Sequence, residues 1–328
     1  MSINNNNILQ FCTSAPTEDL LHKCASELSS SLNSSNINEL PILSQKIETL
    51  SNIIKFSGFL IDANIPKSYL AKSNKTNLSV KNAALLLLSE YTKLSLNELL
   101  EIINNTEMVA QNLWSHYVKD PDNITEEMLN SFYTDCGNNN LFLQRYYSSM
   151  NISLGSALRG YIASMATQVG GRFFDFGGGV GDLTATISKA GHKNIYFVDT
   201  DQKQLDFVKW KDQQCGLNNI NYIGTEEIED FFKSNKESFN FGTSIELLEH
   251  VINPPELMKS LATLIAPGGY LFFTSSFHVY PEPGHLKSNI QYTNKEDEIM
   301  KPLGFERVQF NNLPIPFLFN WKLFQKTI

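Results

Sequence analysis

One short stretch constrains the fold more than any other. The apolar run Arg172-Phe-Phe-Asp175-Phe176 meets Gly177-Gly178-Gly179-Val180-Gly181, and a helical pattern follows from Asp182. A buried strand, then glycines, then a helix brings the free N–H groups of a first helical turn next to backbone that carries no side chains. A nucleotide-like ligand can approach such a place closely. In a doubly wound α/β sheet it lies at the carboxyl edge of the strands, where ligands bind. The spacing excludes one ligand class. A dinucleotide fingerprint counted from Gly177 needs glycine at position 182, and Asp182 stands there, setting a carboxylate against a pyrophosphate. Asp175, two residues before the first glycine, suits a cofactor carrying positive charge and an ammonium group. The next strand, around Asn194–Val198, runs into Asp199, 24 residues after Asp175. A carboxylate there can accept both hydroxyls of a ribose. Asp201 reads as the cap of the following helix.

With those residues in place, the stretch from about 170 to 328 resembles the class I S-adenosylmethionine-dependent methyltransferases. Ser244–Val251 followed by Asn253-Pro254-Pro255 is similar to the segment after that family's fourth strand. Leu264–Thr274, with Pro267-Gly268-Gly269, is similar to the turn into the fifth. Leu303–Phe310 and Phe317–Phe324 resemble the closing sixth and seventh strands, an antiparallel edge hairpin. The resemblance implies an α/β fold, a Rossmann-like seven-stranded sheet with an N-terminal helical domain. It also implies S-adenosyl-L-methionine as cofactor, with contacts at Asp175, Gly177, Gly178, Gly179, Asp199, Thr200, Glu226 and Glu246. Two positions depart from the family pattern. After the third strand, Asn221-Tyr-Ile-Gly-Thr225 leads to Glu226 and Glu227, either of which can stand for the usual acid beside adenine. Asn240 replaces the aspartate usual at the start of the fourth strand.

Glu246, Glu249 and His250 stand at i, i+3 and i+4, which on a helix is one face. Carboxylate and imidazole together can ligate magnesium, manganese or zinc. Ubiquinone-biosynthesis O-methyltransferases and small-RNA 2′-O-methyltransferases carry a similar run, and His278 or His285 can complete such a site. Metal-free members of the family use the same run to shape the cofactor pocket. The loop Ser275–Tyr292 holds His278 and His285, and Pro281 and Pro283 restrict the backbone around Glu282. Methyl transfer needs an aligned acceptor, excluded water and, where the nucleophile requires it, removal of a proton. Histidine suits that last task, so His285 and His278 are the candidate catalytic residues.

Glycine also divides the chain. Of 18 glycines in 328 residues, Gly58 and Gly137 alone fall before position 151. The first half should therefore be helical: residues 1–150 form a lid or dimerisation domain, and 151–328 the cofactor-binding domain. Helices are expected from Pro16–Asp19, over Leu43–Ile61, from the capping box Ser95–Glu98, and over 79–92, 107–118, 125–135 and 153–169. Asn4–Asn7 and Ser29–Asn38 read as loops. Leu141–Tyr147, with Arg145, can form one wall of the substrate pocket, although packing between the domains is the simpler explanation for aromatics at such spacing.

Composition narrows the function. Twenty-six basic against 34 acidic side chains give a net charge of −8, with no broad basic field for a polynucleotide. No apolar run approaches the ~20 residues of a membrane span. The four cysteines, Cys12, Cys24, Cys136 and Cys215, show no C-x-x-C spacing and read as free thiols. A cytoplasmic enzyme is expected, transferring a methyl group to the oxygen, nitrogen or carbon of a small metabolite. The alternatives are a peptide or protein acceptor, or a non-catalytic cofactor-binding subunit. His22, His116 and Trp114 have no assigned role.

Overall fold

The computed structural model describes residues 40–74, 80–309 and 321–327. The expected helix start at Pro16–Asp19, the loops at 4–7 and 29–38, Cys12, His22, Cys24 and residues 317–320 of the closing segment lie outside them.

The described residues open with helices α1 (Leu40–Asn64), α2 (Lys67–Asn74), α3 (Val80–Thr92), α4 (Leu96–Tyr117), α5 (Glu126–Asn138), α6 (Phe142–Ser149) and α7 (Leu154–Val169). The capping box forms as read: Ser95 Oγ accepts from the Glu98 N–H, and the Glu98 carboxylate accepts from the Ser95 N–H. The helix it starts continues through 107–118, because the polar Asn104-Asn105-Thr106 run does not break it. Thr106 Oγ1 donates back to the Ile102 carbonyl one turn earlier.

Strands and helices then alternate: β1 (Arg172–Phe176), α8 (Asp182–Lys189), β2 (Asn194–Val198), α9 (Gln202–Gln214), β3 (Ile220–Ile223), α10 (Ile228–Ser234), β4 (Phe239–Ile245), α11 (Pro254–Leu264) and β5 (Ile265–Thr274). After α12 (Glu296–Met300), β6 (Phe305–Arg307) and β7 (Trp321–Lys326) close the sheet. Its order is β3-β2-β1-β4-β5-β7-β6. β1 to β5 are parallel, β7 is antiparallel to β5, and β6 is antiparallel to β7. The expected antiparallel edge hairpin is therefore present. Strand order reverses between β1 and β4, which places a ligand crevice beyond the carboxyl end of β1.

Both sheet faces are covered, as parallel strands require. Phe173 and Phe272 point to the face packed by α1, α3, α7, α8 and α9, whereas Phe174, Leu271 and Phe273 point to the face packed by α11. Phe239 and Phe241, two residues apart, should share a face but do not. An irregularity in the β4–β5 register between them turns the strand over. Phe239 then packs edge-on to Phe174, and Phe241 lies over Phe173. Asn240, at the irregularity, accepts the Arg172 N–H at 2.9 Å and so ties the start of β1 to β4 in place of the family's aspartate.

One apolar cluster runs from Leu60 and Leu87 in the helices to Phe173 and Phe197 in the sheet. Inside it Asn64, fully buried, donates to the Asp182 carbonyl at 2.8 Å and accepts from the ammonium of Lys211. Helices α1 and α7 cross closely at Gly160, where a Cβ would lie 2.1 Å from the Phe56 carbonyl oxygen. Relief would require the two helices to separate, so Gly160→Ala should cost about 2–3 kcal/mol, as overpacking against backbone does. A urea midpoint within 0.2 M (about) of the parent protein's would contradict this crossing.

Candidate active site

The turn after β1 is built by glycine geometry. Gly177, Gly179 and Gly181 have φ of +73°, +57° and +66°, a region that L side chains avoid. At Gly177 a Cβ would also strike the Leu247 side chain at 2.6 Å. The reversal lays the Gly179 N–H on Asp199 Oδ2 at 2.9 Å, joining the β1 turn to the end of β2.

Asp199 is half-buried and well supplied with donors. Oδ2 also accepts from Gln204 Nε2 at 3.1 Å, and Oδ1 accepts from the Asp201 N–H at 3.0 Å. Burial pushes its carboxyl up to about 6, against the pull of the Asp201 and Gly179 N–H groups. Asp201 caps α9, accepting from the Lys203 and Gln204 N–H groups, as its position suggested. Gln204, which sequence reasoning did not single out, fixes the Asp199 carboxylate from the first turn of that helix.

Asp175 lies beneath the turn with 3% of its surface exposed, accepting from Thr243 Oγ1 at 2.6 Å. Burial pushes it up to about 7; the Thr243 hydroxyl opposes, and the charges of Asp182 and Asp199 add to the rise. Asp182, buried at the start of α8, pairs with Arg159 at 2.8 Å. Neither partner of that ion pair was assigned a site role from sequence.

A cavity of about 370 Å³ opens over this turn. Gly177, Gly179, Asp199, Thr200, Gln204 and Glu246 line it from the sheet side. Leu129, Phe132, Tyr133, Leu141, Phe142 and Arg145 line it from α5 and α6 and the residue before α6, whereas Leu143, Tyr146 and Tyr147 pack into or against the core. Gly178 packs under the turn against Phe197. Glu226 is exposed and outside the lining, and Glu227 instead accepts the Gly224 N–H; Ile228 is the lining residue there.

The Glu-x-x-Glu-His run does not share a helical face. β4 ends at Ile245, Glu246 adopts φ +49°, and a single 3₁₀ turn covers Leu248–His250. The left-handed residue between strand and turn is the reason i, i+3, i+4 spacing misleads here. Glu246 accepts from Ser276 Oγ, while Glu249, His250 and His285 bring one ligand atom each within 4.8 Å of one another. His285 joins this group; His278 is exposed and does not line the cavity.

The group is held from behind. His250 Nδ1 donates to the Gly284 carbonyl at 3.0 Å and His285 Nδ1 to the Val279 carbonyl at 2.7 Å, so Nε2 of each ring is the nitrogen not engaged with these carbonyls. Burial, then His285 and Arg145, push His250 down to about 3, so it is neutral. Glu249 has 1% exposure, and neither carboxylate oxygen finds a donor of acceptable geometry. Burial and the neighbouring Glu246 hold it well above the usual carboxylate range. Asn289 secures the turn by donating to the Glu249 and Val251 carbonyls.

Sheet order, glycine turn and the acid at the end of β2 together define a class I S-adenosylmethionine-dependent methyltransferase domain in the second half of the chain. Residues 150–303 match the family model described as a methyltransferase domain. The chain is similar to the ubiquinone biosynthesis O-methyltransferase of Coxiella burnetii, 37% identical over 115 residues, 35% of this chain and 47% of that protein. It is similar also to that of Ralstonia nicotianae, 33% identical over 117 residues, with the same coverage of 35% and 47%. The match thus spans about half the length of these relatives. A solved S-adenosylmethionine-dependent methyltransferase from Aquifex aeolicus superposes with a TM-score of 0.37 at 16% identity, over 49% of this chain and 86% of that one. No helix among the described residues is long and apolar enough to cross a membrane.

Asp175 gives a test with two opposed readouts. A carboxyl whose folded pKa is raised costs stability as pH rises from about 4 through about 7, and a bound ammonium would reverse that cost. Asp175→Asn should therefore raise the melting temperature of the ligand-free protein at pH 8 while weakening S-adenosylhomocysteine binding about tenfold. A lower melting temperature with unchanged affinity would contradict the assignment.

Proposed function

We propose that the chain is an S-adenosylmethionine-dependent O-methyltransferase of a small molecule, with a divalent cation held at Glu249, His250 and His285. The observation that carries the reading is that the cofactor turn and His250, one member of the Glu-His-His group, line the same cavity, under a wall of aromatic and apolar side chains from α5 and α6. The printed names of the curated relatives support oxygen as the acceptor atom.

On this reading Asp199 accepts the ribose hydroxyls, its carboxylate already aimed by Gly179 and Gln204. Asp175 faces the ammonium from beneath the turn, and the backbone of Gly177–Gly179 approaches the methionine portion. Thr200 and Glu246 contribute from the rim, and Ile228 packs where the expected adenine acid, Glu226, does not reach. Helices α5 and α6 exclude water and hold the acceptor in line with the methyl carbon. The acceptor hydroxyl gives up its proton to solvent, and its oxygen forms the bond to that carbon as the bond to the sulfonium sulfur breaks, the electron pair staying on sulfur.

The donor set fits a cation. Both Nδ1 atoms are committed to carbonyls, which leaves the Nε2 atoms of His250 and His285 to face a cation beside the buried Glu249 carboxyl group, whose oxygens have no hydrogen-bond partner. Magnesium, manganese and zinc all match this chemistry. Bound there, a cation lowers the pKa of an acceptor hydroxyl. His285 then serves through its Nε2 as a ligand, which replaces the general-base role expected from sequence, and His278 takes no part.

Methyl transfer from labelled S-adenosylmethionine to a catechol, before and after chelation, tests the proposal. Activity should disappear on chelation and return with manganese. Glu249→Gln should weaken manganese binding, read by calorimetry, at least tenfold, since even residues behind metal ligands contribute about 10–100-fold. Full activity of the chelated protein would sink the cation site and leave the cofactor assignment standing.

A further inference from the structure

We infer that Arg145 selects an acceptor bearing a negative charge, a carboxylate on an aromatic or apolar body. This rests on the methyltransferase reading and names its substrate class.

Arg145 is the one lysine or arginine among the described residues lining the cavity. Two other arginines of the domain are committed: Arg159 to Asp182 at 2.8 Å, and Arg172 to Tyr196 Oη at 2.8 Å and Asn235 Oδ1 at 2.7 Å. Arg145 makes no ion pair or side-chain hydrogen bond with the described residues. The acids nearest in function do not claim it. Asp199 takes its donors from Gly179, Gln204 and Asp201, and Asp201 takes its own from α9. Arg145 lines the same cavity as Asp199 and Asp201 at the cofactor turn and His250 of the Glu-His-His group. A guanidinium on the wall of that shared cavity lies where an acceptor can rest.

The surroundings define the rest of the ligand. Leu129, Phe132, Leu141 and Phe142 offer apolar and aromatic surface, suited to a ring or a short apolar body. Tyr133 lines the same wall, its hydroxyl buried without a partner and its ring edge-on to His250 at 6.1 Å. Burial holds that phenol well above its ordinary range, so it stays a neutral donor. A planar guanidinium with uncommitted N–H groups recognises a carboxylate in bidentate fashion, and the neutral isostere lacks that pair.

Two probes differing in one group test this: 3,4-dihydroxybenzoate and 3,4-dihydroxybenzyl alcohol, titrated calorimetrically into the full chain saturated with S-adenosylhomocysteine and manganese. Both present the same catechol to the Glu-His-His group, so the comparison isolates the acid. The benzoate should bind about tenfold more tightly, a modest value for a charge-assisted pair on a partly exposed arginine. Raising the salt to about 0.5 M should shrink the preference. Arg145→Gln should abolish it and Arg145→Lys retain part of it, with S-adenosylhomocysteine affinity changing less than about twofold in both. Equal affinities in the parent protein, a preference that survives in Arg145→Gln, or an equal loss of S-adenosylhomocysteine affinity would each overturn the inference. Failure of S-adenosylhomocysteine to bind the parent chain would instead overturn the methyltransferase reading, and this inference with it.

Discussion

The site depends on one hydrogen bond, from the Gly179 N–H to the Asp199 carboxylate. It forms because three glycines in the left-handed region let the chain turn back over the end of β1 instead of running on past the sheet. That turn brings the β2 acid under the β1 loop and starts α8 above it. Any side chain at Gly177 would meet Leu247, so the turn also fixes where the β4 loop can lie. Leu247, two residues before Glu249, is thus the point where the glycine turn and the loop carrying the Glu-His-His group meet.

The helices before the sheet are built into this arrangement. Asn64 at the end of α1 holds the first carbonyl of α8 and the buried ammonium of Lys211 on α9, which also reaches the Gly181 carbonyl. Tyr146 of α6 donates to the Asn64 carbonyl at 2.8 Å. A buried amide and a buried ion pair, Lys211–Asp212, are costly when a partner is lost, so they specify one docking of the helices and no other. The wall that carries Arg145 and Tyr133 is positioned through that docking.

Much of this was legible in the chain itself. The glycine turn, Asp199, the Asp201 cap, the Ser95 capping box and the edge hairpin all follow from local patterns with a period or a spacing. What was not legible depends on contacts between distant segments or on a single backbone angle. The positive φ of Glu246 removes it from the helical face that spacing alone suggests. The register irregularity at Asn240 turns Phe239 and Phe241 to opposite faces, against the period of two. His285 and His278 look alike in sequence, and only the fold of their loop buries the first beside Glu249 and leaves the second in solvent. Gln204 and Arg159 are ordinary helix residues until their partners, Asp199 and Asp182, are in place.

On the proposed reading the turn receives a sulfonium cofactor and not a dinucleotide, because position 182, where the dinucleotide fingerprint needs glycine, carries a buried aspartate tied to Arg159. Calorimetry of the full chain with S-adenosylhomocysteine and with NAD, side by side at pH 8, tests it most directly. Micromolar binding of S-adenosylhomocysteine with no heat from NAD is the predicted result. Binding of NAD without S-adenosylhomocysteine would contradict the account at its base.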